Sequence, residues 1–360
     1  MSKTIVVMAG GTGGHVFPAL AVAKQLMDMG HRIVWIGTRQ GLEAEVVPQA
    51  GIEIRWITIS GLRGKGWVNW LVAPGRLVRA GYEAMRILRD IKPAVVLGLG
   101  GFVTGPGGVM ARLLGIPLLI HEQNAVAGLT NRLLLPLAQC VMEAFPGTFN
   151  NPRKVIYTGN PVRKEIAALA PPELRFKQHQ GPLRLLVIGG SLGASALNKI
   201  VPAAVALFPT GERPEVLHQA GKKHIAAAQS CYAQCQVQAQ VVPFIEDMAQ
   251  ALGWCDLVIC RAGALTIAEL AAAGVGAILI PFPHAVDDHQ TYNGQYLAEP
   301  HAAFLVQEAQ LNADVLFRMM QKLGNRERLL AMASAARKLA KPDATFHVAQ
   351  LCDSYAGGQH

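Results

Sequence analysis

Short apolar runs alternate with longer amphipathic stretches along most of the chain. The first run, residues 5–9, is followed by a glycine cluster and a helix-like stretch that ends at Gly30. This alternation is typical of parallel βαβ units, in which buried strands are joined by crossover helices. In the first half of the chain, strands are predicted at residues 5–9, 32–37, 52–57, 94–99, 117–121, 140–143 and 155–158.

The alternation breaks near residue 160 and then starts again. Gly159, Asn160 and Pro161 interrupt it, and residues 167–182 contain three prolines and no clear strand. Further strands are predicted at residues 184–190, 216–219, 237–242, 257–260 and 277–281, and residues 312–355 are predicted to be helical. The pattern predicts an N-terminal domain at 1–160, a linker at 161–182 and a C-terminal domain at 183–360, whose last helix could return to the N-terminal domain.

The second domain repeats the opening of the first. Ser191 takes the place of Thr12, because in both stretches an apolar run leads through Gly-Gly and a hydroxyl residue into a helix. We therefore expect an α/β fold with two doubly wound, Rossmann-like domains that face a cleft. In such sheets, ligands bind at the carboxyl ends of the strands.

The composition suits a folded protein with a basic first half. Hydrophobic residues make up 51% of the chain and charged residues 16%, which supplies enough apolar side chains for buried cores. The net charge is +9, and residues 1–160 contain 16 Lys and Arg against 8 Asp and Glu, whereas the remainder contains 17 against 16. A basic half can meet nucleic acid, an anionic membrane surface or a phosphorylated substrate, and charge alone does not choose among them.

The chain shows no pattern for export or for a membrane span. It enters its first strand without a basic and apolar leader, and it has no run of about 18 apolar residues. We therefore expect a cytoplasmic protein, with attachment to a membrane surface left open. The six cysteines lack paired C-x-x-C spacing, so we expect them to be reduced and structural rather than zinc ligands.

The first glycine cluster, Gly-Gly-Thr-Gly-Gly-His at residues 10–15, is a candidate ligand site. Glycines allow positive φ and a close approach of another molecule, and the following helix start favours an anion. The spacing is neither that of a P-loop nor G-x-G-x-x-G. His15 stands in this turn, where it is either a general base or an ordinary helix-end or core histidine.

The second domain contains two comparable helix starts, at residues 189–193 and 260–266, each with a hydroxyl residue. Together they could cradle a diphosphate without a metal, although each could also be an ordinary βα turn. Glu269 lies one turn into the second of these helices. Its carboxylate can accept both hydroxyls of a ribose, and the alternative is a solvated helix residue.

A polar loop follows the strand at 277–281. It contains Asp287, Asp288, His289 and Gln290, whose carboxylates and amides match the hydroxyls of a hexose. The alternative is a polar surface turn. A metal is disfavoured, because adjacent residues rarely point at one ion.

Two further stretches of the first domain are unusual. Residues 121–124, His-Glu-Gln-Asn, end a strand with four polar residues in a row, which packing does not explain. Residues 60–92 combine glycines, two tryptophans and many cations. They predict either a core-packed helix with a basic face or an interfacial element among anionic headgroups. Nucleic acid would use similar residues, but no module signature accompanies them.

Taken together, these motifs closely resemble the MurG family, bacterial N-acetylglucosaminyltransferases of glycosyltransferase family 28 that make lipid II in peptidoglycan synthesis. The resemblance covers the whole chain. The matching segments are residues 8–19, 60–66, 98–108, 121–124, 159–163, 189–191, 261–266 and 287–290. Phe102 departs from the pattern where Tyr is frequent, and His289 departs from it where some relatives have Gln.

The resemblance implies a glycosyltransferase B fold in which UDP-GlcNAc binds mainly to the C-terminal domain. By this resemblance the diphosphate meets Ser191 and the helix start at 264–266, the ribose meets Glu269, and the uracil meets the backbone of Ile245. Gln290 and Asn124 would contact the GlcNAc, and Thr12, Gly13 and Gly14 would line the acceptor side. The implied substrate-binding set is Thr12, Gly13, Gly14, Asn124, Arg163, Ser191, Ile245, Ala264, Leu265, Thr266, Ile267, Ala268, Glu269 and Gln290.

The implied reaction is an inverting transfer to the 4-hydroxyl of the muramoyl sugar of lipid I. His15 is expected to act as the base and Arg163 to neutralise the leaving UDP, with Glu122 as a further catalytic candidate. No cofactor is expected to be required, and stimulation by a divalent metal is left open. The implied location is the cytoplasmic face of the inner membrane, with anionic lipids and cell-wall synthesis proteins as partners and no nucleic acid.

Two alternatives accompany this reading. A UDP-GlcNAc 2-epimerase shares the architecture and would act without a lipid acceptor. A non-catalytic protein that binds a nucleotide sugar would show no turnover at all.

Overall fold

The computed structural model describes residues 2–59, 67–149, 154–190 and 193–358. They fall into two compact units. The first unit is Met1–Val162 together with Asp343–His360, and the second is Arg163–Pro342. Each unit contains one parallel β-sheet and its flanking helices.

The strands, in chain order, are β1 (Thr4–Met8), β2 (Arg32–Gly37), β3 (Glu53–Trp56), β4 (Val95–Gly98), β5 (Leu118–Glu122), β6 (Cys140–Glu143), β7 (Val155–Tyr157), β8 (Arg184–Ile188), β9 (Glu215–Gln219), β10 (Gln240–Val242), β11 (Leu257–Cys260), β12 (Gly276–Leu279) and β13 (Ala303–Leu305). All but β13 correspond to strands predicted from apolar runs. β13, the short run Ala303–Leu305, was not predicted.

The helices are α1 (Gly13–Asp28), α2 (Glu43–Gln49), α3 (Trp67–Ile91), α4 (Thr104–Leu113), α5 (Leu129–Leu134), α6 (Lys164–Ala167), α7 (Pro172–Gln178), α8 (Ser195–Ala206), α9 (Ile225–Gln234), α10 (Met248–Trp254), α11 (Ala264–Ala273), α12 (His289–Ala298), α13 (Ala313–Leu323), α14 (Arg326–Lys338) and α15 (Ala344–Ala356). Short 3₁₀ turns occur at Thr210–Glu212, Val286–Asp288 and Glu308–Gln310.

The sheet of the first unit has the order β3-β2-β1-β4-β5-β6-β7, and all of its pairings are parallel. Met8, at the end of β1, pairs with Ile36 of β2 on one side and Gly98 of β4 on the other. The strand order changes direction between β1 and β4, which is the switch point where doubly wound sheets bind ligands. The last four residues of β1 are fully buried, because helices cover both faces of the sheet.

The sheet of the second unit has the order β10-β9-β8-β11-β12-β13 and is also parallel throughout. Cys260, at the end of β11, pairs with Ile188 of β8 and Leu279 of β12. The strand order changes direction between β8 and β11. The turns after these two strands therefore occupy the switch point of the second sheet.

The C-terminal helix α15 belongs to the first unit. Val348, Ala349 and Cys352 are buried in the same core cluster as Leu26 of α1 and Trp35 of β2. This apolar face explains why the chain returns to its first domain after Pro342.

The segment predicted as a linker, residues 161–182, contains α6 and α7 and groups with the second unit from Arg163 onwards. Arg175 of α7 holds it there. Its guanidinium donates to the carbonyl oxygens of Leu252, Ala273 and Gly274 at 2.9, 2.6 and 2.6 Å. The carbonyls at the ends of α10 and α11 thereby gain the partner that helix geometry leaves them without.

Each unit contains a histidine that is fully buried. His121 lies on β5 of the first unit and His218 on β9 of the second, and both are 0% exposed. The ring of His218 lies between Tyr232 Oη, 2.9 Å from its Nδ1, and Asn198 Oδ1, 3.0 Å from its Nε2. Burial lowers the pKa of both imidazoles to about 4.

We expect both histidines to be neutral throughout the physiological range. In the unfolded chain their pKa is about 6.5. Below that value the unfolded state takes up protons that the folded state does not bind, so the free energy of unfolding falls as the pH decreases from about 6.5 towards 4. NMR titration of ¹³C-labelled histidine checks this directly. A midpoint near 6.5 for either ring would contradict it.

Candidate functional site

The turns after β1 and β4 meet backbone to backbone. Gly101 has φ +79°, and a Cβ atom on it would lie 2.4 Å from the carbonyl oxygen of Gly10. Gly11 has φ +98°. Only glycine accommodates this approach and these angles, so the predicted glycine-rich turns at residues 10–14 and 98–108 form one cluster at the switch point.

A buried carboxylate is hydrogen-bonded to the backbone of the first glycine turn. Glu43, the first residue of α2, is 0% exposed, and its Oε2 accepts a hydrogen bond of 2.9 Å from the Gly11 N–H. Its Oε1 accepts bonds from the Thr38 N–H and Thr38 hydroxyl, at 2.9 and 2.8 Å. Glu43 thus fixes the glycine turn against the turn that follows β2. Nothing in the local sequence around Glu43 indicated this role.

Helix α1 begins directly after the turn. Thr12 is its N-cap, in extended conformation, and the Thr12 carbonyl oxygen accepts from the N–H groups of His15 and Val16. The first N–H groups of a helix have no partner within the helix. Gly13 and Gly14 therefore present backbone donors at the positive end of the helix dipole, as an anionic group requires.

His15, on the first turn of α1, lies between the second glycine turn and the end of β5. Its Nδ1 is 2.8 Å from Oε1 of Gln123. A Cβ on Gly100 would lie 3.0 Å from the ring, so the ring is in tight contact with that backbone. The His15 Nε2 makes no hydrogen bond to any residue that the structure describes, and the side chain is partly exposed. One ring nitrogen is thus held by Gln123, and the other has no partner among the described residues.

The other polar residues at the end of β5 are tightly bonded to each other. The carboxylate of Glu122 is buried, and its Oε1 accepts from the N–H and Nδ2 of Asn124 at 3.0 and 3.2 Å. Its Oε2 accepts from the Gly128 N–H at 3.0 Å and from Nδ2 of Asn131 at 2.8 Å. Glu122 therefore organises the loop that carries Asn124, and its role as a catalytic candidate stays a prediction.

In the second unit, Arg163 and Glu269 form an ion pair. Nε and Nη2 of Arg163 lie 3.0 and 2.7 Å from Oε1 of Glu269. Glu269 is almost fully buried on α11, whereas Arg163 is partly exposed. Burial raises the pKa of Glu269, and the nearby guanidinium opposes that rise. Two residues predicted to act separately are thus coupled.

Helix α11 carries most of the residues that were predicted to bind UDP-GlcNAc. It begins at Ala264 with Gly263 as its N-cap, so Leu265, Thr266 and the residues up to Glu269 lie in its first two turns. Arg261, just before it, was not singled out as a site residue. Its Nη1 donates to the carbonyls of Ile280 and Pro281 at 3.2 Å, and its Nη2 pairs with Glu308. Arg261 therefore ties the turn after β11 to the turn after β12.

Ile245 and Gln290, which were also predicted to bind UDP-GlcNAc, form hydrogen bonds with other residues of the protein. The Ile245 N–H donates to Oε1 of the buried Gln219 at 3.0 Å. Gln290 Oε1 accepts from the Phe282 N–H at 2.9 Å, across the loop that was predicted to bind a sugar. Ser191 and the segment 60–66 lie outside the described residues.

Apolar side chains are exposed along three successive helices of the first unit. Val78 and Tyr82 of α3, Leu113 of α4, and Leu129 and Leu133 of α5 are each more than half exposed. Helix α4 packs against both α3 and α5. Cations accompany them, since the guanidinium of Arg86 lies 5.9 Å from the centre of the Tyr82 ring. Among the described residues, no helix is long and apolar enough to span a bilayer.

Within the described part of the chain, no group of three or more His, Cys, Asp or Glu side chains is placed to hold a metal ion. Two of the buried thiols stay protonated at neutral pH. All six cysteines are free, and burial raises the pKa of Cys140 to about 11 and of Cys255 to about 12.

Two family models match the two halves of the chain. The N-terminal domain of glycosyltransferase family 28 matches residues 5–143, and the C-terminal domain of the same family matches residues 184–348. The chain belongs to glycosyltransferase family 28. The fold class predicted from the sequence, two doubly wound domains of the glycosyltransferase B type, is confirmed.

Relatives of this family 28 chain match it over nearly its whole length. A protein of Dechloromonas aromatica, named UDP-N-acetylglucosamine--N-acetylmuramyl-(pentapeptide) pyrophosphoryl-undecaprenol N-acetylglucosamine transferase, is 55% identical over 99% of this chain and 100% of its own. A protein of the same name from Marinobacter nauticus is 53% identical over 99% of this chain and 98% of its own. The crystal structure of Acinetobacter baumannii MurG matches with a TM-score of 0.84 and 45% identity, over 98% of this chain and 99% of that one. The resemblance inferred from the motifs is therefore confirmed.

Removing the charge of Glu43 should loosen the glycine turn. In the Glu43→Gln variant, the side-chain amide NH₂ would face N–H or O–H donors, so we expect a loss of about 1–3 kcal/mol in the free energy of unfolding. Hydrogen exchange at the Gly11 amide should also be faster. The exposed Glu45, on the same helix, provides the matched control Glu45→Gln. If both variants gave equal stability and equal exchange at Gly11, Glu43 would not support the turn.

Proposed function

We propose that this family 28 protein transfers GlcNAc from UDP-GlcNAc to the 4-hydroxyl of the muramoyl sugar of lipid I, giving lipid II and UDP. Lipid I is the undecaprenyl-diphosphate-linked muramoyl pentapeptide. The names of the relatives at 53–55% identity support this reaction. The observation that carries it is His15, whose ring is held through Nδ1 while Nε2 has no hydrogen-bond partner among the described residues.

The donor is proposed to bind along the carboxyl edge of the second sheet. The start of α11 offers backbone N–H groups for the diphosphate, which suits an anion without a metal. The Glu269 carboxylate would accept the ribose hydroxyls next to it. Beside Ile245, the exposed ring of Phe244 lines an open groove that is suited to a planar base.

The proposed chemistry is a single displacement. His15 Nε2 takes the proton from the 4-hydroxyl, and the oxygen attacks the anomeric carbon as the bond from that carbon to the phosphate oxygen breaks. The bonding electrons leave with UDP, and the configuration is inverted. Arg163 and the helix start stabilise the charge that develops on the diphosphate. We propose that no metal is required for this step.

We propose that the first unit meets the cytoplasmic surface of the inner membrane through the exposed apolar residues of α3, α4 and α5. Their neighbouring arginines, and the excess of cations in the first half of the chain, favour anionic lipid headgroups. The acceptor's lipid tail would stay in the bilayer while its sugar reaches His15.

The transferase assay uses radiolabelled UDP-GlcNAc, with and without a lipid I analogue, in the presence of a chelator. Label in a lipid-linked disaccharide is the expected result. Transfer that needs added magnesium would overturn the metal-free proposal. Conversion to UDP-ManNAc without acceptor would instead identify an epimerase, and no turnover of either kind a binding protein.

In the same assay, His15→Ala should lower the turnover number by about 10²–10⁴-fold, the usual contribution of a general base. The KM for UDP-GlcNAc should change little, because the donor groups lie in the second unit. The exposed His347 of α15 gives the control His347→Ala, which should retain wild-type turnover. A His15→Ala enzyme with normal turnover would move the base to another group.

Replacing Leu113 and Leu133 together by Ser should weaken binding to vesicles that contain anionic lipids. A Leu that is fully buried in the interface contributes about 1.5–3 kcal/mol, so even partial burial of the two leucines should make binding of the double variant roughly tenfold weaker or more. Leu207, an exposed leucine of the second unit, supplies the control Leu207→Ser. Vesicle co-sedimentation at low and high salt measures the effect. Equal binding by both variants would place the membrane contact elsewhere.

A further inference from the structure

A chain of hydrogen bonds runs from a backbone carbonyl through two buried side chains to the His15 ring. The carbonyl oxygen of Gly159 lies 3.0 Å from Nε2 of His121. Nδ1 of His121 lies 3.2 Å from Nε2 of Gln123. Oε1 of Gln123 lies 2.8 Å from Nδ1 of His15. All four residues belong to the first unit.

The direction of this chain is set at its buried end. A carbonyl oxygen can only accept, so Nε2 of His121 carries a proton and donates it to Gly159. His121 is 0% exposed, and burial lowers its pKa to about 4, so the ring carries one proton only. Its Nδ1 is therefore an acceptor, and it takes a hydrogen bond from Gln123.

The side-chain amide of Gln123 has one orientation that fits. Its Nε2 lies within 3.2 Å of Nδ1 and 3.1 Å of the carbonyl oxygen of His121, and both are acceptors. The reversed amide would place its oxygen against that carbonyl oxygen, without a proton between them. Gln123 is 1% exposed, so water does not relieve such a contact. Oε1 of Gln123 therefore faces His15.

We infer that Gln123 is a positioning residue that selects the tautomer of His15. Because Oε1 of Gln123 accepts, Nδ1 of the neutral His15 ring must carry the proton, and Nε2 has the free lone pair. This inference rests on the proposed role of His15 as the base. It explains how a histidine with no carboxylate partner among the described residues is held ready to accept a proton, since the amide orients the ring and His121 orients the amide.

The position of the Gly159 carbonyl, where the series of hydrogen bonds begins, is equally well defined. Gly159 has φ +80°, and its carbonyl oxygen also accepts a hydrogen bond of 3.0 Å from the Thr158 hydroxyl. The motif at residues 159–161 interrupts the strand pattern. Its Gly159 carbonyl oxygen is the fixed acceptor that sets the direction of every hydrogen bond from His121 to His15.

The test is NMR of the full-length protein with ¹⁵N-labelled histidine, above the pH at which the rings are charged. The His15 signals are identified by their loss in His15→Gln. We expect a protonated Nδ1 and an unprotonated Nε2 in the wild type. A protonated Nε2 would overturn the inference, whatever the transferase activity.

The variants Gln123→Met and Gln123→Glu test the role of the amide. Met retains the length but has no donor and only a weak sulfur acceptor in place of the amide oxygen, so His15 should populate the other tautomer and kcat should fall by roughly 10- to 100-fold, with an unchanged KM for UDP-GlcNAc. In Gln123→Glu, one oxygen again accepts from His15, and the other, as the O–H of a protonated carboxyl group, takes the place of the amide N–H that faced His121, so the Nδ1–H form should return and part of kcat with it. An unchanged His15 spectrum in Gln123→Met would overturn the inference.

The control Thr345→Val removes one hydrogen bond of the first unit, from the Thr345 hydroxyl to the Val162 carbonyl, without touching this chain. It should leave the His15 spectrum as in the wild type. These experiments can refute the inferred tautomer of His15 and its proposed role as the base independently of each other. Normal turnover in His15→Ala with the expected wild-type tautomer would refute the base but not the hydrogen-bond chain.

Discussion

The first unit depends on the close approach of two glycine turns at the ends of β1 and β4. Gly10 and Gly101 meet backbone to backbone, where any side chain on Gly101 would overlap a carbonyl oxygen. A Cβ on Gly107 would likewise lie 2.3 Å from the sulfur of Met8, so α4 lies close over the end of β1. This packing brings the start of α1 against the second turn, and the His15 ring against Gly100. The glycines of these turns therefore give the His15 ring room to lie against the backbone, where Gln123 then orients it.

Local patterns predicted the features that local chemistry determines. Apolar runs and their spacing predicted twelve of the thirteen strands that the described residues form, and the two doubly wound units, because parallel strands buried on both faces are apolar throughout. Glycine clusters after strands predicted the ligand-side turns. The polar end of β5 was recognised as unusual, but the individual role of Gln123 was not, because its amide orientation depends on a carbonyl much later in the chain. Glu43 was missed for the same reason, since its three donors come from two other turns.

In the second unit, the burial of a carboxylate explains an ion pair between two residues that are far apart in the sequence. A carboxylate as buried as that of Glu269 is costly unless a cation accompanies it, and Arg163 supplies two N–H donors to one oxygen. A nucleotide that binds Glu269 would therefore meet an arginine already in place for its phosphates. Gln219 constrains Ile245 in a similar way, because it occupies the backbone N–H and leaves the carbonyl oxygen as the group that can read a base.

The segment from Gly159 to Arg163 joins these two sets of interactions along the chain. Gly159, at its start, gives the carbonyl that orients His121 and through it His15, and Arg163, at its end, pairs with Glu269. The boundary between the two units falls between Val162 and Arg163. The ring of Pro161 fixes φ at that residue. Position 159 has a positive φ, which a glycine adopts without strain. Gly159 and Arg163, which take part in the two sets of interactions, are therefore only a few residues apart along the chain, and the positive φ of Gly159 and the ring of Pro161 restrict the backbone between them.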